Sequence, residues 1–259
     1  MSDNNMDNVQ MEGSSVQEAN ETISFAGAFE EYKIDKELLW RKVPVIAGEQ
    51  RPYFSTDLGL TTETFEAFLL WINTDKLPEL NVIYIEKDHI LEYYGYNHEM
   101  LYRAALWFDL KVLADNIMDC IRKVHVSFGI GFTKIEITRI YAQQFTRWGL
   151  SYYAALWIHL EDTRPNDYMK ATTKAERDAL LKDRVIAQNV HNISGPWFPG
   201  NQSACMFHIH AASQPCLQNY DIAVGLWVID KNGEDMSLDK WKTKKLAEQT
   251  PTAGGQSNL

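Results

Sequence analysis

Apolar and polar residues alternate through Thr22-Ile23-Ser24-Phe25-Ala26 and again through Glu31-Tyr32-Lys33-Ile34, with Gly27 between them. A period of two predicts two short strands joined by a tight turn. The period then lengthens. Leu38, Leu39 and Val43 share one face of a helix predicted over 35–43, which Asp35 can cap and Pro44 ends. Phe65, Phe68, Leu69 and Ile72 recur at i, i+3, i+4 and i+7, predicting a helix over 61–73 with Thr61 or Thr62 as its cap. Val82-Ile83-Tyr84-Ile85 is a β-branched and aromatic run that predicts a strand. Two helices follow, over 99–108 and 110–124, meeting near Asp109. Val112, Leu113, Asn116, Ile117, Cys120, Ile121 and Val124 fall on one face of the second, making Cys120 a core residue.

Beyond His125 the pattern loosens. Helices are predicted over 134–146, 150–160 and 172–189, the last highly charged with a narrow apolar seam of Leu180, Leu181 and Val185. Residues 192–203 read as a Gly/Pro/Asn loop, and the apolar run over 220–229 fits neither period. The fold class expected is α+β and mainly helical: a domain with a small sheet over 21–125, then a helical C-terminal extension over 126–245. The polar segments at 1–20 and 246–259 hold too few aliphatic residues to offset the entropy of ordering, so both are expected to be disordered.

Composition narrows the function classes. Of 259 residues 45% are hydrophobic and 23% charged, a globular balance. The net charge is −10, and residues 1–21 carry five acidic side chains and no Lys or Arg. No basic face for phosphate neutralisation is offered, so nucleic acid is not an expected partner. No apolar stretch reaches the ~20 residues of a membrane span, so no membrane partner is expected. No secretory signal is visible, and three cysteines do not read as a disulfide framework, so cytoplasm or nucleus is the expected compartment.

One cluster has ligand chemistry. Cys205, His208, His210 and Cys216 are spaced Cys-x2-His-x-His-x5-Cys. Thiolate and imidazole suit tetrahedral zinc, and the two histidines would share one face of a strand. The competing reading has histidines hydrogen-bonded to neighbouring backbone and cysteines left as reduced core thiols. That simpler reading is the expectation, with no cofactor. The zinc reading is kept as the alternative, a zinc-binding protein or an enzyme built on the cluster. No Gly-x-Ser-x-Gly elbow and no Gly-rich phosphate loop is visible, and the remaining histidines are scattered, so the chain is not expected to be an enzyme. Trp71, Trp107, Trp148 and Trp157 lie in apolar helical patterns and are expected in the core. Trp40, Trp197, Trp227 and Trp241 are less constrained, and any found exposed would be an interface anchor.

Three short patterns recur in order. They are Tyr32-Lys33-Ile34-Asp35-Lys36-Glu37-Leu38-Leu39, then Thr64-Phe65-Glu66-Ala67-Phe68-Leu69-Leu70-Trp71-Ile72-Asn73-Thr74-Asp75-Lys76-Leu77, then Leu101-Tyr102-Arg103-Ala104-Ala105 followed by Leu113-Ala114-Asp115-Asn116-Ile117-Met118-Asp119-Cys120-Ile121. Together they resemble a diverged BTB (POZ) domain of the fungal type. The family's His stands as Asp35, its Tyr-Thr-Gly as Asn73-Thr74-Asp75, and its Ser-Pro-Tyr-Phe as Val43-Pro44-Val45-Ile46. The tails of such proteins carry a similar Cys-x-x-His-x-His run. The resemblance implies a BTB/POZ-like domain over 21–125 that docks proteins, with itself as first partner in a homodimer. It also implies an adaptor role toward a cullin-type ubiquitin ligase scaffold. The start of the first helix, Asp35 and Lys36 with Leu38 and Leu39, is the interface the resemblance points to.

Overall fold

The computed structural model describes residues 22–26, 31–47, 59–142, 149–163, 171–194, 198–209, 216 and 224–249. The fold is α+β and mainly helical, with a small mixed sheet. Strands β1 (Thr22–Ala26) and β2 (Glu31–Asp35) form an antiparallel hairpin. Helix α1 (Lys36–Lys42) follows, capped by Asp35, whose carboxylate accepts from Leu38 N at 2.8 Å. Pro44 opens a 3-10 turn rather than continuing the helix.

Helix α2 (Thr62–Thr74) begins at Thr61, which accepts from Thr64 N. It ends on Asp75 at φ 57°, a left-handed conformation that an L side chain adopts at a cost. Phe65, Phe68 and Ile72 are buried as their spacing requires, and Trp71 joins them.

Strands β3 (Leu80–Ile85) and β4 (Ile90–Tyr94) pair antiparallel. Helices α3 (His98–Trp107) and α4 (Lys111–Phe128) pack on each other, and Leu113, Ala114, Ile117, Met118, Cys120, Ile121 and Val124 of α4 fill the core. Two expectations fail here. Trp107 and Val112 are more than half exposed, at 56% and 51%, because both lie at the α3–α4 junction, where the turn carries them off the buried stripe.

Four helices follow: α5 (Lys134–Ala142), α6 (Leu150–Thr163), α7 (Lys174–Leu180) and α8 (Arg184–His191). Helix α6 is buried nearly all round, from Leu150 to Leu160. Gly131 packs there so closely that a Cβ would sit 2.8 Å from the Trp157 ring, a contact only glycine permits. The single charged helix predicted over 172–189 is two. Leu181 caps the first, and Asp183 caps the second by accepting from Val185 N and Ile186 N at 2.8 and 3.2 Å. Ile186, not Val185, is the residue buried beside that break.

The undecided apolar run contains strand β5 (Val224–Ile229), which pairs parallel to β3, and β6 (Asp235–Ser237) completes the order β4-β3-β5-β6. The sheet therefore joins residues from both ends of the chain. Its inner face, with Leu80, Val82, Tyr84, Val228 and Met236 buried, meets α4 and helix α9 (Leu238–Gln249), where Tyr84 packs on Phe128 and Trp241. Helix α9 passes residue 246, where the sequence predicts a tail. The predicted leader at 1–20 and residues 250–259 lie outside the described residues, as do Trp148 and Trp197. No helix among the described residues is long and apolar enough to cross a membrane.

Candidate metal centre

The site forms where residues 198–209 fold back on α4. Arg122 organises that return. Its Nη2 donates to Pro199 O and Gln202 O at 3.3 and 2.9 Å, and its guanidinium lies 5.0 Å from the Phe207 ring centroid. These bonds tie the 3-10 turn at Pro199–Asn201 and the residue after it to α4. Phe207 is fully buried and meets Tyr153 edge-on at 5.0 Å. This anchor delivers the next residue, His208, into the core.

His208 touches two carboxylates one helical turn apart. Its Nε2 lies 3.0 Å from Asp119 Oδ1, and its Nδ1 lies 4.0 Å from Asp115 Oδ2. The same Nδ1 is 3.2 Å from Cys216 Sγ. Asp115 Oδ1 accepts from Ile209 N at 2.8 Å, and Asp119 also pairs with Arg122 at 3.4 Å. Cys205, His208 and Cys216 each bring a ligand atom within 4.8 Å of the others, a group that can hold a metal ion. Cys205 is exposed, Cys216 half-buried, and His208 buried, so the centre sits at the edge of the core with one side toward solvent. The Cys216 thiol is pushed up to about 12, first by burial, then by the neighbouring Cys205 and by Asp119 and Asp115.

Three of the four predicted ligands thus converge. The fourth, His210, lies outside the described residues. The shared strand face expected for the histidines is not formed, because Cys205 sits in a 3-10 turn and His208 in irregular backbone just after it. Asp115 and Asp119 were not singled out from the sequence. Their signal was two acids at i, i+4 with Arg122 on the same side of the helix, but their partners lie about ninety positions away.

The expected interface residues lie at the end of β2 and in α1. Asp35 caps α1, Lys36 lies 4.5 Å from the Trp40 ring centroid, Leu38 is half-buried, and Leu39 is fully buried in the core. Of the scattered histidines, two meet. The Tyr93 hydroxyl bonds His125 Nε2 at 2.9 Å and its ring lies tilted 4.2 Å from the His98 ring, and burial holds both imidazoles down to about 3. They remain neutral packing elements. Compared with known proteins, the chain matches no family model, no curated protein and no solved structure.

Proposed function

We propose that this chain is a protein–protein interaction module of the BTB type that associates with a second copy of itself. The observation that carries the reading is the outer face of the sheet. Register places Ile83 beside Trp227, and Ile85 between Ile90 and Ile229, all on the face away from α4. These isoleucines are half-buried, and Trp227 and Tyr94 are 46% and 47% exposed. An apolar surface centred on a tryptophan is the composition of an interface hot spot, and two such faces meet across a two-fold axis without needing opposite charge. The left-handed Asp75 adds support, because it stands where the resembled family has glycine, the residue that takes this conformation at no cost. The adaptor role toward a cullin-type scaffold rests on the resemblance alone.

Light scattering of the full chain at tens of micromolar tests the reading. A dimer is expected, with Trp227→Lys monomeric. A monomeric wild type overturns self-association. A dimer that survives Trp227→Lys and is lost on Lys36→Glu moves the interface to the start of α1.

A second reading rests on Cys205, His208 and Cys216: a structural zinc that ties residues 205–208 to residue 216. Two thiols and an imidazole are the ligand types of structural zinc. Elemental analysis of protein purified without chelator is expected to find about one zinc per chain, and less than about 0.2 overturns it.

A further inference from the structure

We infer that Asp115 supplies the fourth ligand of this centre and that Asp119 orients His208, so that α4 itself holds the metal; the inference rests on the zinc reading above. The argument starts from the imidazole. A ligating histidine offers one nitrogen to the metal and donates the other N–H to a group that fixes its tautomer and ring plane, most often a carboxylate or a carbonyl. His208 is arranged in this way. Nε2 faces Asp119 at 3.0 Å, which makes Nε2 the donor and leaves the Nδ1 lone pair on the side of Cys216 Sγ, 3.2 Å away. Asp119 is in turn held by Arg122 at 3.4 Å, so the positioning carboxylate is itself positioned.

Asp115 lies one turn earlier on the same face of α4. Its Oδ1 accepts the Ile209 N–H at 2.8 Å, the kind of backbone bond that steadies a ligating carboxylate. Its Oδ2 is 4.0 Å from His208 Nδ1, the nitrogen directed at the thiols. Metal–ligand bonds of about 2.0–2.3 Å at tetrahedral angles space neighbouring ligand atoms roughly 3.3–3.8 Å apart. The 4.0 Å from Oδ2 to Nδ1 is just beyond that spacing, and the carboxylate stands outside the 4.8 Å group of Cys205, His208 and Cys216, so Asp115 closes the shell by moving toward the thiols as the metal binds. Two sulfurs, one nitrogen and one carboxylate oxygen complete a closed structural site with no position left for substrate. Binding displaces the thiol protons to solvent, so the ligands enter as thiolates. The sequence points to His210 for the fourth place. The geometry points instead to a residue some ninety positions earlier, which makes the metal a clasp between distant parts of the chain.

The test uses the full chain, stripped with chelator and titrated with cobalt(II), whose visible bands report ligand number and type. Wild type is expected to give an intense tetrahedral spectrum with thiolate charge-transfer absorption. Asp115→Asn shifts the visible bands and weakens binding more than Asp119→Asn does. Asp119→Asn keeps the band shape and weakens affinity roughly 10–100-fold. His210→Ala leaves both band shape and affinity unchanged. A spectrum altered by His210→Ala and untouched by Asp115→Asn overturns the assignment of Asp115 while zinc binding stands. A band shape changed by Asp119→Asn overturns its positioning role. Wild type that takes up neither cobalt nor zinc removes the zinc reading and this inference with it. Melting curves of the stripped variants must match stripped wild type. If Asp115→Asn fails that control, Asp115→Glu, which keeps the carboxylate, is expected to bind cobalt where Asp115→Ala does not, and equal binding by the two overturns the assignment.

Discussion

Two polar clusters enter the core of this protein, and they differ in how complete they are. In the first, Arg177 reaches between α6 and α7. Its Nη1 meets Glu161 Oε2 at 3.2 Å and Thr172 O at 2.7 Å, and its Nε meets Asp162 at 2.9 Å. Glu161 also accepts from Ala171 N at 3.0 Å and from the Thr172 hydroxyl. No atom of these groups is left buried without a partner. In the second cluster, two carboxylates and a thiol converge on His208, Cys205 lies within 4.8 Å of its ligand atom, and the guanidinium of Arg122 pairs with Asp119. The first arrangement is closed by its own cation. The second brings thiol, imidazole and carboxylate groups together at one place, the ligand types that a metal ion takes.

The contrast breaks most sharply at Arg177. Replacing it with methionine leaves Glu161 buried without its cation and should cost roughly 3–5 kcal/mol in urea denaturation. Zinc or chelator should not alter that loss. An intermediate effect is expected at the other cluster. Cys216→Ser and chelation of wild type should each lower the melting temperature, and the two should not add. At a metal concentration a hundred times its dissociation constant the contribution is about 2.7 kcal/mol. A Cys216→Ser protein as stable as wild type in added zinc would erase the distinction between the clusters.

The smallest effect is a pH slope. The Glu161 carboxyl is raised above its ordinary value of 4.5 because burial outweighs its hydrogen bonds and Arg177. A raised carboxyl binds its proton more tightly when folded. Stability should therefore fall as pH rises from about 4.5 through the raised value, then level off. Glu161→Gln should flatten that part of the curve, read from denaturation midpoints across the acidic range.

The helices of the first half were legible in the sequence because each repeats an apolar stripe at its own period. The 61–73 prediction lands within one residue of α2, and Cys120 is buried as its place on the α4 stripe requires. Caps were legible for the same local reason: Asp35 and Thr61 act on backbone three residues away. Position along a stripe was less secure at its ends, where Trp107 and Val112 turn outward. The charged stretch at 172–189 misled because its average pattern is helical, while one side-chain cap at Asp183 divides it.

Local patterns along the chain set the class of fold, the helices of the first half and the pairing of thiols with an imidazole at Cys205, His208 and Cys216. These follow from interactions a few residues long. That the run near 224–229 is a strand follows from the folded chain alone, because its state depends on pairing with β3, whose residues come more than a hundred positions earlier. Likewise only the folded chain brings Asp115 and Asp119 to His208. No local pattern encodes that meeting. It arises because Arg122 and Phe207 fix the return of the chain onto α4, and the energy that fixes it is non-local burial and hydrogen bonding.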